Sequence, residues 1–200
     1  MPYFIQHATV EDLETIMRIY AKARMFMESH GNPTQWGKSY PEEEMLQRDI
    51  ARNVLYTVGD TAGIHGVFYY EQEDDPTYEI ITEGSWSSTM PYGVIHRIAG
   101  DGSGGILKAA IQFAAEQSRY LRIDTHSDNY VMQKALAKYG FQKCGIIFVE
   151  DGSPRIAYDR IDGIREARYN DLDQLLKLYC HLHETSVPGE SEHLDRKSVV

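Results

Sequence analysis

A dense glycine run, Gly100-Asp101-Gly102-Ser103-Gly104-Gly105, separates a strand-like segment from an amphipathic helix in the middle of this chain, and it constrains the fold more than any other feature. Before it, Tyr92-Gly93-Val94-Ile95-His96-Arg97-Ile98-Ala99 has the β-branched and apolar content of a strand. After it, Ile106, Ala109, Ala110, Phe113 and Ala114 keep to one helical face, and Tyr120-Leu121-Arg122-Ile123-Asp124 reads as the next strand. Strand, glycine loop, helix and strand make a parallel crossover. Backbone amides at the amino end of such a helix are unpaired and favour phosphate.

The flanking segments place that unit in a larger sheet. Thr9 caps a helix with Asp12 three residues on, and Leu13, Ile16, Met17 and Tyr20 recur at helical spacing. His30-Gly31-Asn32-Pro33 breaks the pattern, Gln35-Trp36-Gly37 forms a loop, and Pro41-Glu42-Glu43-Glu44 starts a second helix. Val54 to Val58 and Ile64 to Tyr70 read as a hairpin, followed by an acidic loop from Glu71 to Pro76 and a third strand at Tyr78 to Ile81. Asp128 or Asn129 caps a helix through Met132 and Leu136 that Gly140 ends. Phe141 to Glu150 and Arg155 to Asp159 close the array as a hairpin about Asp151-Gly152-Ser153-Pro154. The order α-α-β-β-β-β-α-β-α-β-β predicts an α/β (α+β) fold, a mixed central sheet flanked by helices in three αβα layers.

That domain takes up residues 1–160. Residues 161–200 repeat its beginning: Ile5, Ala8, Asp12, Leu13 and Tyr20 recur as Ile164, Ala167, Asp171, Leu172 and Tyr179. A lone strand and helix cannot bury an apolar stripe, so this segment is expected to dock on the first domain or to make a homodimer.

The 200 residues carry 20 Lys plus Arg against 30 Asp plus Glu, a net charge of −10, which lacks the basic footprint of a nucleic-acid or anionic-membrane partner. No stretch approaches the ~18 apolar residues of a membrane span, and the amino end has no signal-like basic flank. The two cysteines, Cys144 and Cys180, are far apart, so neither a disulfide framework nor a thiolate metal site is expected, and a reducing cytoplasm fits. Cys180-His181-Leu182-His183-Glu184 assigns no metal, because alternate helical residues diverge.

The glycine loop admits two ligands. A nucleotide-triphosphate loop fails, because Ile106-Leu107 follow Gly105 where Lys and Ser or Thr are needed. GxGxxG is satisfied by Gly100, Gly102 and Gly105, with Asp124 placed to hold a ribose, so an NAD(P)-dependent oxidoreductase is one reading. The other comes from resemblance. An early Ile-x-x-Ala-x-x-x-Asp-Leu segment, the hairpin, a His on the fourth strand, the glycine loop, and Asn129-x-x-Met132 leading to Gly140-Phe141 together resemble the GNAT family of acyl-CoA-dependent N-acyltransferases. The resemblance runs from Ile5 to Tyr158, roughly three quarters of the chain. It implies that amides near Gly102, Gly104, Gly105 and Ile106 bind the diphosphate of acetyl-CoA. It further implies that strand backbone at Ile98 and Ala99, with Asn129, completes the cofactor site. Gly102 and Leu107 depart from the family's Gln/Arg-x-x-Gly-x-Gly/Ala loop.

Acyl transfer to an amine needs a base, an oxyanion site and preferably an acid. His96 and Glu83 are the catalytic candidates, His96 because some family members carry a base His at a matching place. The acid Tyr often found seven residues after the helix-starting Asn is replaced by Leu136; Tyr130, His126 and Cys144 are alternative donors. Asp124 and His126, at the end of the fifth strand, together with Gln35, Trp36 and Trp86, are the acceptor-binding candidates. The expected function is an N-acetyltransferase acting on a small-molecule amine by direct transfer, with a catalytically weak acyl-CoA-binding module as the alternative.

Overall fold

The computed structural model describes residues 3–72, 74–163, Leu176, Tyr179 and Cys180. Met1–Asp162 forms one compact unit and Gly163–Val200 a second. The expected repeat therefore lies outside the described residues, apart from Leu176, Tyr179 and Cys180, which are helical.

The first unit is a seven-stranded sheet in the order β1-β2-β3-β4-β5-β7-β6. Its strands are β1 (Phe4–His7), β2 (Leu55–Asp60), β3 (Gly63–Glu71), β4 (Gly93–Gly100), β5 (Tyr120–Thr125), β6 (Gln142–Phe148) and β7 (Pro154–Ile161). All neighbours are antiparallel except β4 and β5, the crossover joined by α3 (Ile106–Gln117). The remaining helices are α1 (Leu13–Ser29), α2 (Glu43–Ala51) and α4 (Tyr130–Lys138).

Local chemistry sets the helix ends. The Asp12 carboxylate accepts from the Thr9 N–H at 2.9 Å and hydroxyl at 3.0 Å, closing the start of α1. Asn129 caps α4 by accepting from the Met132 N–H at 3.1 Å, and Gly140, at φ 82°, ends it.

Strand alternation sorts side chains into two cores. Phe68, Tyr70, Ile95, Leu121 and Ile123 pack against Ile106, Ala110 and Leu136 of α3 and α4. Leu55, Val67, Tyr69 and Ala99 face Ile16, Tyr20, Leu46 and Ile50 of α1 and α2 on the other side. The helix–sheet–helix layering is thus the three-layer αβα arrangement.

Two elements differ from expectation. The chain begins with the four-residue edge strand β1, absent from the predicted order. The third strand predicted at Tyr78 to Ile81 does not form. Instead Asp75 caps a 3-10 turn at Pro76–Tyr78, accepting from the Thr77 N–H at 2.8 Å, and only Thr82 bridges to Ile146. Pro76 cannot donate to a ladder, and the apolar content of the segment is used instead to bury Tyr78 against Trp86 and Tyr92. The segment becomes a strap over the sheet, tied down where Asp159 accepts from the Ser87 N–H at 2.8 Å and hydroxyl at 2.9 Å.

Candidate active site

Two irregularities open a cavity in the sheet. β4 and β5 pair only at Gly93 with Leu121 and Val94 with Arg122, so beyond Val94 the strands part. On the other edge of β4 the register slips: Val67 pairs with Ala99 but Tyr69 with His96, leaving Arg97 and Ile98 together opposite Phe68. This bulge puts Arg97 at φ 48°, a strained conformation for a side-chain-bearing residue. It is held from three directions. Tyr20 donates to the Arg97 carbonyl at 2.8 Å, Arg97 Nη2 reaches Asp49 at 2.6 Å, and the guanidinium lies 4.5 Å from the centre of the Tyr69 ring.

The resulting cavity is about 800 Å³ and is walled from both faces of the sheet. Ile95, Ile98, Ile123 and Met132 line it from the α3–α4 side; Trp36, Tyr69, His96 and Asp124 from the α1–α2 side. Asn129 Nδ2 donates to Gln35 Oε1 at 2.9 Å, and Asn32 Nδ2 donates to the same oxygen at 2.7 Å, joining the start of α4 to the α1–α2 loop. Thr125 Oγ1, on the wall, is buried with no hydrogen-bond partner.

His96 sits between two carboxylates: Nε2 is 2.8 Å from Asp75 Oδ2, and Nδ1 is 3.5 Å from Asp124 Oδ1. Burial pushes the Asp75 carboxyl up. Hydrogen bonds from His96 and Thr77, with the His96 charge, outweigh it and hold the group down at about 2. Asp75 is therefore ionised at neutral pH and can only accept. Nε2 must carry the proton shared with it, which leaves Nδ1 as the ring nitrogen turned toward Asp124. Asp124 is fixed in turn by the hydroxyl of the fully buried Tyr78, which donates at 2.8 Å.

The glycine loop is exposed and continues from β4 rather than lining the cavity. His65 anchors it. Its carbonyl accepts from the Asp101 N–H at 2.8 Å, and its ring lies 2.9 Å from Asp101 Oδ2 and 3.0 Å from Asp60 Oδ1. Asp101 Oδ1 occupies the Ser103 N–H at 2.8 Å. Gly105, at φ 92°, starts α3, and a methyl group added at Gly104 would meet no atom within 4 Å. Tyr3 flanks that helix end, its hydroxyl donating to the Gly104 carbonyl at 2.9 Å.

Of the residues singled out in the sequence, Gln35, Trp36, His96, Ile98, Asp124 and Asn129 line the cavity. Gly102, Gly104, Gly105 and Ile106 form the loop and the first helical residue beyond β4. Ala99 is buried beneath α1, paired with Val67. The others lie elsewhere. Glu83 is exposed on the strap at φ 57°, Trp86 stacks on the Arg122 guanidinium 4.1 Å from its ring centre, and His126 Nδ1 accepts from the Asp128 N–H at 3.2 Å. Cys144 packs in the cluster under the strap, where burial and the neighbouring Asp159 push its thiol up to about 12. Sequence reasoning missed Asp75, Arg97 and Thr125. Only Asp75 had a local signal, the Asp-Pro-Thr turn.

No family model matches the sequence, and no curated protein matches it. Solved structures do. A GNAT-family acetyltransferase from Streptococcus agalactiae superposes with a TM-score of 0.73 at 26% identity, over 81% of this chain and 96% of that one. The chain has the GNAT acyltransferase fold. A GNAT-family acetyltransferase from Listeria monocytogenes gives 0.59 at 17% identity over 80% of this chain and 94% of that one. A ribosomal-protein-alanine N-acetyltransferase from Brucella melitensis gives 0.55 at 16% identity, over 79% and 99%. The GNAT sheet has a single parallel pair, not the doubly wound parallel array of a dinucleotide site, so the NAD(P) reading of Gly100, Gly102, Gly105 and Asp124 falls. Within this GNAT fold Leu136 is fully buried in the core and offers no hydroxyl to the cavity.

Proposed function

We propose that the protein is an N-acetyltransferase that moves an acetyl group from acetyl-CoA to the primary amine of a small molecule by direct transfer. The observation that carries this is the pairing of His96 Nδ1 with Asp124 Oδ1, 3.5 Å apart on the wall of the cavity where β4 and β5 part. The residues present fit the donor. A methyl at Gly104 would meet no atom within 4 Å beside the start of α3, and the unpartnered Thr125 hydroxyl on the cavity wall would give an amide of the donor's arm a hydrogen-bond partner. When bound, acetyl-CoA supplies an activated thioester carbonyl.

The chain's own groups supply the rest. A nitrogen about 2.8 Å from both Nδ1 and Asp124 Oδ1 is geometrically allowed by their 3.5 Å separation. Asp124 thus holds an incoming ammonium while His96 Nδ1 takes its proton, and Asp75 steadies the imidazolium that results; the C–S bond of the thioester would break as the amide forms, with coenzyme A leaving as a thiolate that takes its proton from solvent. The bulge takes Arg97 and Ile98 out of the regular β3 ladder, and a backbone amide there would be the donor to a carbonyl oxygen in the gap.

A second reading, an acyl-CoA-binding module with little turnover, is favoured by Leu136 in place of an acid. Thiol release from acetyl-CoA, measured against a panel of amines, separates the two. Acceptor-dependent release that His96→Ala lowers by about 10²-fold or more supports transfer. Tight acetyl-CoA binding without release on any amine overturns it in favour of the module. The cytoplasmic setting and the dimer through residues 163–200 stand as further proposals, the dimer checked by light scattering of the full chain. Among the described residues no helix is long and apolar enough to cross a membrane.

A further inference from the structure

One buried charge has no part in the reaction above. Arg155, on β7, is 9% exposed and lines the cavity. Its hydrogen bonds both leave from Nη1, to Ser153 Oγ at 2.9 Å and to the Pro154 carbonyl at 3.0 Å. Nε and Nη2 donate to none of the described residues, and no described carboxylate forms an ion pair with it. Of the acids nearby, Asp124 accepts from Tyr78 and Asp159 from Tyr120 and Ser87, while Asp151, which accepts from the Ser153 N–H, feels the Arg155 charge without forming an ion pair with it. Two guanidinium nitrogens without a hydrogen-bond partner on a cavity wall present a planar pair of donors to an anion entering it.

The strand register says where that anion would lie. Asp124 pairs with Ala157, so Arg155, two residues along β7, shares its face and stands on the diagonal, with Cα atoms roughly 7–8 Å apart. This is the His96 and Asp124 face, under α1, α2 and the strap. The glycine loop, by contrast, leads into α3 on the opposite face. A cationic group and an anionic group thus face one cavity a few bonds of ligand apart.

We infer that the acceptor is an amino acid or a close analogue, its ammonium held by Asp124 beside His96 and its carboxylate by Nε and Nη2 of Arg155. The inference rests on the acyl-transfer reading for the ammonium end, but the carboxylate end stands on Arg155 alone. Planar two-point donation is a property of guanidinium that an ammonium does not share, so Arg155→Lys keeps the charge and loses the geometry.

The test pairs L-alanine, L-leucine and L-phenylalanine with ethylamine, 3-methylbutylamine and phenethylamine as acceptors for the full chain. Calorimetric titration of the same compounds into the protein saturated with CoA gives a readout independent of turnover. The expected result is a kcat/KM about 10–100-fold higher for an amino acid than for its matched amine. Arg155→Gln should bring that ratio to about one without changing the KM for acetyl-CoA, and Arg155→Lys should fall between. Circular dichroism checks that both variants fold, and if Arg155→Gln does not, the Lys variant carries the comparison. Turnover of amines with no preference for amino acids overturns this inference and leaves acyl transfer standing. Amino-acid binding that needs Arg155, with no turnover of any acceptor, supports the inference and overturns acyl transfer. An Arg155→Gln effect confined to the KM for acetyl-CoA overturns the inference by giving Arg155 to the donor.

Discussion

Asp75→Asn is the sharpest perturbation of the proposed base, because the structure dictates which way the new amide must face. Asp75 Oδ1 accepts from both the Thr77 N–H at 2.8 Å and the Thr77 hydroxyl at 2.6 Å. An amide keeps those bonds only with its oxygen on Thr77, which turns its NH₂ toward His96 Nε2. Nε2 must then accept, and the ring proton moves to Nδ1, where it points at Asp124. The base is closed without any change of shape. Loss of general-base assistance lowers kcat by about 10²–10⁴-fold. The effect on stability is much smaller. Asp75 is held from its ordinary 3.8 down to about 2, so its ionised form stabilises the fold above 3.8, and that contribution is lost as pH falls toward 2. At 1.36 kcal/mol per unit, reduced by half because solvent screens a part-open site, this is about 1 kcal/mol. For a chain of this size that lowers Tm by about 2–4 °C. Stopped and steady-state thiol release at pH 7, with a thermal melt of the same sample, measure both. A variant that keeps kcat within about threefold of the parent would refute the tautomer argument, since base assistance is worth far more than that.

Three further outcomes follow from other parts of the molecule. Gly104→Ala adds a methyl into open space, so Tm should hold while the KM for acetyl-CoA rises about tenfold, the size of one weakened charge-assisted hydrogen bond; an unchanged KM removes the loop from the donor site. Hydrogen bonds to Asp101 and Asp60 raise His65 above its ordinary 6.5, so its bridge is complete below 6.5 and is lost as pH rises through the raised value. Acetyl-CoA KM should therefore climb with pH over that window and be flat in His65→Gln, with a parallel rise in the variant counting against the bridge. With its thiol pushed up to about 12, Cys144 should resist a disulfide reagent at pH 8 until the chain unfolds, and mass mapping that finds it labelled in the native state would contradict its burial.

What could be read from the sequence was what local chemistry decides. The Thr9–Asp12 cap, the Asn129 cap, Gly140 and the glycine loop each act within a few residues, and each stands where spacing put it. The four-residue β1 is too short to carry a period. The strap shows the converse. Its alternating apolar residues satisfy a strand pattern, yet burial of Tyr78 and the turn at Asp75 absorb them. Trp86 therefore looks from sequence like a pocket wall, whereas in the fold it covers Arg122. His96 was legible as a candidate, but its partner Asp75 lies 21 residues away and Asp124 further still in the other direction, so only the folded register brings them together. The slip at Arg97 leaves no trace in composition at all, because the residue that adopts φ 48° is an arginine, not a glycine.

The gap between β4 and β5 is walled by side chains from both helical layers, and that geometry bears on more than chemistry. Two reactants approaching from opposite sides of a sheet need not pass one another, so neither must wait for the other to leave. A single compound joining the two halves through the gap would surrender its translational freedom once instead of twice, and so would outbind either half alone by orders of magnitude.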